Sequence, residues 1–102
     1  MQTPFTREAI LDYLNSNHDD LQSRFGLARI AVIGSVARDD YTDASDVDLI
    51  VRFAPGTDRI RRRKRELSLE LEAVFGRPVQ IASEKYLKPY YRTGILKEAV
   101  DV

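Results

Sequence analysis

Apolar residues at helical spacing near the start of the chain predict two helices, and a buried strand follows them. After Thr6, a suitable N-cap residue, the side chains of Ala9, Ile10, Tyr13 and Leu14 fall on one face of a helix. A polar run weakens this helix, and a second helical piece is predicted to end at about Phe25, because Gly26 is a typical C-terminal stop. Residues 27–33 are almost continuously apolar, which is typical of a strand buried on both faces.

The next segment is predicted to be a second strand, reached through a short polar connection. Residues 36–39 favour a turn of helix, and residues 40–45 are polar and suit a loop. Residues 47–53 have the apolar character of a strand, and residues 54–57 (Ala-Pro-Gly-Thr) suit a turn. One sheet could therefore bring the end of the first strand and the start of the second together.

A long helix is predicted after that turn. Asp58 is its candidate N-cap, and Leu67, Leu71, Val74 and Phe75 form one apolar stripe at helical spacing. Gly76 is the expected stop. The helix should therefore lay its apolar stripe on the sheet.

The remaining chain predicts a third strand and a tail. Residues 78–82 suit a short strand, and Ser83 or Glu84 opens a helical turn after it. The tail, residues 86–102, mixes apolar and charged side chains and is expected to pack back on the domain. Strands and helices in this order predict an α/β (α+β) fold, a small sheet with helices packed on it, as one domain over residues 1–102.

Composition excludes several classes of protein. The chain has no cysteine, which excludes disulfides and thiolate metal sites and suits a reducing cytoplasm. Charged residues stand where the apolar core of a signal peptide would be needed, and the apolar runs are far shorter than the ~20 residues of a membrane helix. A cytoplasmic protein without a membrane partner is therefore expected.

The balanced net charge hides two clusters of opposite sign. The 16 basic and 16 acidic side chains cancel, yet aspartates crowd residues 39–48 and basic residues crowd residues 59–65. An arginine-rich run can meet RNA or DNA, but a net charge of zero and the acidic segment nearby make nucleic acid the least favoured partner. The acidic cluster can hold a cation.

Two motifs at strand ends carry the candidate chemistry. Gly34 and Ser35 follow the first strand, and Asp46 and Asp48 stand ten residues later at the head of the second. A glycine allows close approach of a phosphate, Ser35 adds a hydroxyl, and Arg38 adds a charge-assisted contact. Residues i and i+2 of a strand share a face, so the two aspartates present paired carboxylates, which suit Mg²⁺ together with substrate phosphates.

Each motif alone is usually an ordinary turn or loop closure. The combination of a Gly-Ser turn with Asp46-Val47-Asp48-Leu49 resembles the signature of the minimal nucleotidyltransferases, a branch of the DNA polymerase beta superfamily. The similarity extends over most of the chain, from the helix before Gly34 to a tail that includes residues 95–99. The resemblance implies a polymerase-beta-like fold, a small mixed β-sheet flanked by helices.

The resemblance also implies an activity and a partner. Family members are often antitoxins paired with a HEPN-domain ribonuclease toxin, and active members use Mg²⁺ and ATP to transfer AMP to a tyrosine of the partner protein. Carried onto this chain, Gly34 and Ser35 would hold the triphosphate, and Asp46 and Asp48 would bind the metal. The alternative is a catalytically weakened antitoxin that neutralises its toxin by binding alone.

Two positions depart from the family pattern. Asp39 stands where the family usually has glycine, although aspartate tolerates a left-handed turn. Gln80 stands where a third carboxylate is usual, and a carboxamide cannot accept a proton, a loss that typically costs a factor on the order of 10²–10⁴ in rate. Glu84 is a further carboxylate nearby, but it lies beyond the strand, and spacing alone assigns it no role.

The other chemistry-bearing residues give weaker signals. His18, the single histidine, lies among aspartates in a polar helical stretch and is expected at the surface. Tyr86, Tyr90 and Tyr91 stand near basic residues and could stack on bases, but we expect their rings to pack the tail onto the core.

Overall fold

The computed structural model describes residues 4–102, in which helices and strands follow one another closely. Most of the helices precede or connect the strands, so each strand is joined to the next through helical chain. In order the elements are α1 (Arg7–Ser16), α2 (His18–Phe25), β1 (Leu27–Ile33), α3 (Gly34–Arg38), β2 (Val47–Phe53), α4 (Ile60–Phe75), β3 (Val79–Ser83), a 3-10 turn (Glu84–Tyr86), α5 (Pro89–Glu98) and β4 (Val100–Asp101).

The four strands form one mixed sheet in the order β3-β2-β1-β4. β1 runs antiparallel to both β2 and β4, whereas β2 and β3 are parallel. This register places Asp48 opposite Ile33 on one side and opposite Gln80 on the other. The expectation of a small mixed sheet flanked by helices is confirmed.

The hydrophobic core lies on one face of the sheet. Val47, Leu49 and Val51 alternate along β2 and are fully buried in a cluster with Leu67 and Leu71 of α4. Residues between them in sequence point to the opposite face, because side chains alternate along a strand. Asp48 therefore lies on the face that α5 partly covers, where Ile95 lines a cavity together with Asp48.

Several predicted boundaries agree with the structure, and one predicted helix cap is wrong. β1 and β2 span the predicted residues, and the Thr6 hydroxyl accepts the N–H of Ala9 at 3.1 Å as a cap. Asp58 does not cap α4, because Arg59 occupies the cap position in a left-handed conformation with φ 53°. The Asp58 carbonyl instead accepts a hydrogen bond from Arg63 Nε at 2.8 Å, which fixes the turn before the helix.

The tail packs back on the sheet as predicted, but its tyrosines do not. The rings of Tyr86 and Tyr90 are 71% and 72% exposed, and that of Tyr91 is 56% exposed, so the expectation that they pack on the core is wrong. α5 buries no residue fully, and only its C-terminal end is half-buried, at Ile95, Leu96 and Glu98. The strand β4, two residues long, was not predicted, since so short a segment carries no alternating pattern.

No helix between residues 4 and 102 is both long and apolar enough to cross a membrane.

Candidate functional site

The Gly-Ser turn meets the aspartate strand directly. Gly34 follows β1 and starts α3 with φ 73°, a left-handed conformation that favours glycine. A Cβ atom at this position would lie 2.5 Å from Oδ2 of Asp48, closer than any ordinary contact. Both the backbone conformation and the approach of Asp48 therefore require glycine here, and the two predicted motifs form one surface.

The first turn of α3 offers backbone donors at this surface. The helix has five residues, and Ile33 precedes it without any side-chain cap. The N–H groups at the start of a helix have no intrahelical acceptor, so those of Ser35 and Val36 are available to an anion. Asp39 ends the helix in a left-handed conformation with φ 63°, which shows how aspartate replaces the usual glycine.

Asp46 and Asp48 are brought close enough to interact electrostatically. Burial raises the pKa of Asp48 above its ordinary value, the nearby Asp46 carboxylate raises it further, and Arg38 lowers it. An electrostatic environment of this kind favours a bound cation, since a divalent ion would stabilise both ionised carboxylates. Two hard oxygen donors fit Mg²⁺, which commonly takes one or two carboxylates and completes its shell with water and phosphate.

The loop before Asp46 is held by Arg77, an arginine outside every motif of the sequence. Arg77 Nη1 donates to the carbonyl oxygens of Asp43 and Ser45, each at 2.9 Å. The Arg77 guanidinium carbon also lies 3.2 Å from the centre of the Phe5 ring. Arg77 therefore fixes the backbone that presents the first carboxylate.

Gln80 lies where the resemblance places the third acid. It pairs with Asp48 across the parallel strands β2 and β3, and both line a cavity of about 340 Å³. Gly34 and Glu98 are the other polar or turn residues in this lining, and the rest are apolar: Ile33, Leu49, Ile81, Ala82 and Ile95. The position thus faces the site, but its carboxamide cannot accept a proton.

Glu84 does not replace that acid. It lies at the far end of β3, where its carboxylate pairs with Arg29 at 3.3 Å and with Arg92 at 3.4 Å. These two guanidinium groups compensate a carboxylate that is otherwise buried. Glu84 is therefore part of an ion-pair network away from Asp48.

Arg38 lies beside the site and is already paired with carboxylates. Its Nε donates to Asp40 and its Nη1 to Glu98, each at 3.2 Å. Glu98, the second of these partners, carries no functional signal in the sequence. It lies 64 positions from Gly34, and only the fold brings the two residues together.

A larger cavity lies at the other end of β2 and β3. Its volume is about 550 Å³, and its lining includes Phe53, Ile60, Ser83 and Arg92. Its one carboxylate, Glu84, is neutralised by arginines, and neither aspartate of the pair reaches it. The smaller cavity is the one that Gly34 of the turn and Asp48 of the candidate metal-binding pair line together.

Comparison with known proteins shows the family of this chain. The model of the nucleotidyltransferase domain family matches residues 16–102, most of the chain. The chain belongs to the nucleotidyltransferase family. The match includes β1, the Gly-Ser turn and the aspartate strand, so the site described above lies within the family domain.

Individual relatives refine this assignment to the minimal nucleotidyltransferases. The chain is 33% identical to the protein adenylyltransferase MntA of Thermococcus cleftensis over 99 residues, covering 95% of this chain and 96% of that protein. A solved structure of a candidate minimal nucleotidyltransferase superimposes with a TM-score of 0.81 at 35% identity, covering 96% of this chain and 97% of the other. Both matches extend over nearly the whole length of each protein.

A third comparison shares the fold at lower identity. A structure of the toxin–antitoxin pair MntA–HpeT superimposes with a TM-score of 0.65 at 19% identity, covering 86% of this chain and 70% of that one. This nucleotidyltransferase therefore has the polymerase-beta-like fold that the sequence resemblance implied.

Proposed function

We propose that this nucleotidyltransferase transfers AMP from ATP, with Mg²⁺, to a tyrosine of a partner toxin with a HEPN domain, and so acts as an antitoxin. The names of its relatives support AMP transfer to protein, since one is a protein adenylyltransferase that matches over nearly its whole length. The MntA–HpeT structure supports a toxin as the partner class. The sequence resemblance supplies the HEPN domain and the tyrosine.

One observation carries the proposal. The Asp48 carboxylate lies so close to the Gly34 turn that a single Cβ would collide with it. A triphosphate held by the turn would therefore lie within reach of a metal ion held by Asp46 and Asp48.

The turn residues and the aspartates would have different roles in the reaction. The N–H groups of Ser35 and Val36 and the Ser35 hydroxyl would donate hydrogen bonds to the triphosphate. Asp46 and Asp48 would hold Mg²⁺, which would neutralise charge at the phosphates. The tyrosine oxygen bonds to the α-phosphorus while the bond to pyrophosphate breaks. Gln80 cannot take the hydroxyl proton, so the proton leaves to water.

The acceptor suits this incomplete site. A tyrosine hydroxyl has an ordinary pKa of about 10, so it gives up its proton more readily than an aliphatic hydroxyl does. A tyrosine therefore depends less on a positioned general base, which is the group that Gln80 fails to supply.

The test is incubation of the protein with its partner toxin, Mg²⁺ and ATP labelled at the α-phosphate. Wild type should label the toxin, and the double variant Asp46→Asn/Asp48→Asn should not. Equal labelling by the two proteins would contradict the assignment of the reaction to this site.

Gln80 favours a second candidate function, neutralisation by binding alone. In that case the double aspartate variant should still bind and neutralise the toxin in a growth assay. Loss of neutralisation by a variant that still binds the toxin would exclude this candidate and favour AMP transfer.

A further inference from the structure

Glu98 contacts both ends of the helix that carries the candidate phosphate-binding turn. Its Oε1 accepts the N–H of Gly34 at 3.1 Å, and its Oε2 accepts from Arg38 Nη1 at 3.2 Å. Gly34 and Arg38 are the first and last residues of α3. One carboxylate therefore bridges the two ends of a five-residue helix.

The sheet explains how Glu98 comes to this position. β4 pairs antiparallel with β1, with Val100 opposite Val32 and Asp101 opposite Ala31. Continuing this register places Glu98 opposite Gly34, two positions beyond the last pair of the two strands. The carboxylate takes the N–H that points toward β4, and the N–H groups of Ser35 and Val36 remain free for another acceptor.

A helix as short as α3 needs external contacts to hold its shape. Its first hydrogen-bonded turn fixes several dihedral angles for a single hydrogen bond, so isolated helices of this length are unstable in water. Val36 anchors α3 in the core, and Glu98 adds charge-assisted contacts at both ends. Arg38 would otherwise keep only its contact with the exposed Asp40.

We propose that Glu98 is a positioning residue, which clamps α3 so that the Gly34–Ser35 turn and Arg38 face Asp48 in the geometry that AMP transfer needs. The catalytic part of this inference rests on the proposed function, since it assumes that the turn holds the triphosphate. The structural part, the clamp on α3, stands independently. Glu98 acts through the turn and does not itself touch the nucleotide.

A competing interpretation predicts the opposite effect of removing Glu98 on kcat/KM. A carboxylate beside a phosphate site could be an occupant that the triphosphate must displace. Removing its charge would then tighten ATP binding and raise kcat/KM. The clamp instead predicts that loss of Glu98 lowers kcat/KM, because a displacement of about 1 Å at a reacting group can cost about a hundredfold.

Two variants and a control separate these interpretations. Glu98→Ala removes both contacts, whereas Glu98→Gln keeps a carbonyl acceptor for the Gly34 N–H and loses the charge that pairs with Arg38. Glu66→Ala is the matched control, because Glu66 also pairs with an arginine, Arg62 at 2.9 Å, on the exposed surface of α4. Thermal unfolding of wild type and each variant is measured first, so that only proteins that fold are compared in the later assays.

The first measurement is amide hydrogen exchange by NMR on the protein without nucleotide. Glu98→Ala should speed exchange at the Gly34 amide and at the α3 amides that are bonded within the helix, by about tenfold or more, the effect of losing one charge-assisted hydrogen bond. Glu98→Gln should retain most of the protection at Gly34, and Glu66→Ala all of it. Unchanged exchange in Glu98→Ala would overturn the clamp, whatever the enzyme's activity.

The second measurement is steady-state transfer to the partner toxin. Glu98→Ala should lower kcat/KM by between about ten- and a hundredfold, mainly through kcat, and Glu98→Gln by a smaller factor. An increase in either variant would overturn positioning in favour of an occupant. If wild type transfers no nucleotide, the proposed function fails, and the exchange measurement alone decides the role of Glu98.

Discussion

A methyl group at position 34 is the sharpest perturbation of the site. In Gly34→Ala the new Cβ would lie 2.5 Å from Oδ2 of Asp48. Ordinary contacts begin at 3.4 Å, so the carboxylate or the turn must move by about 0.9 Å. We expect this shift to separate the triphosphate from the metal-binding pair while the core stays intact.

The backbone contributes a second cost, which can be separated from the first. Alanine in a left-handed conformation costs roughly 1–2 kcal/mol, partly offset by about 0.4–1 kcal/mol from the reduced entropy of the unfolded chain. Gly56→Ala has the same cost, because Gly56 has φ 81°, but its Cβ would meet nothing within 4 Å. Gly56→Ala is therefore the matched control for strain without collision.

The assay combines urea unfolding with labelled-AMP transfer. Both variants should lose roughly 1 kcal/mol of stability through the backbone, with a modest further loss in Gly34→Ala. Only Gly34→Ala should lose transfer, by about a hundredfold, as expected for a shift near 1 Å at a reacting centre. Equal activity in the two variants would refute the claim that Gly34 and Asp48 act at one site.

Three further predictions concern neighbouring residues. Burial and Asp46 raise the pKa of Asp48, so the ionised carboxylate destabilises the native state above that pKa. Asp48→Asn should therefore raise the Tm of the metal-free protein at pH 7. The difference in Tm should vanish as the pH falls below the ordinary pKa of aspartate. Arg77→Ala should lower the free energy of unfolding by about 1–3 kcal/mol, because one exposed and one half-buried loop carbonyl lose a charged donor, whereas Arg65→Ala, on the exposed surface, should change the urea midpoint little. Gln80→Asp should increase AMP transfer by about tenfold or more if the missing base limits the rate, and an unchanged rate would show that it does not.

Local pattern predicted the elements that carry the site. The apolar runs at residues 27–33 and 47–53 are bounded by polar residues, and both strands formed with the predicted ends. Because Gly34 and Asp48 lie at those ends, their meeting could be anticipated. The family resemblance then supplied the fold and the roles, and the comparisons confirm the fold and the family.

The contacts between distant segments could not be predicted in this way. Glu98 and Arg77 are ordinary charged residues in sequence, and only the pairing of β4 with β1 and the path of the chain after α4 bring them to the turn and the loop. The exposure of the tyrosines was also not predictable from local sequence. Their aromatic side chains suggested burial, but α5 packs on the domain only through its C-terminal end, so the tyrosines stay exposed.

The central claim is that the Gly34–Ser35 turn and the Asp46–Asp48 pair form one nucleotide-and-metal site. The most direct measurement is a crystal structure of the protein with Mg²⁺ and a non-hydrolysable ATP analogue. We expect a metal about 2.0–2.1 Å from carboxylate oxygens of both aspartates, and triphosphate oxygens that accept from the Ser35 N–H. A triphosphate bound instead in the larger cavity beside Arg92, with no metal between the aspartates, would contradict it.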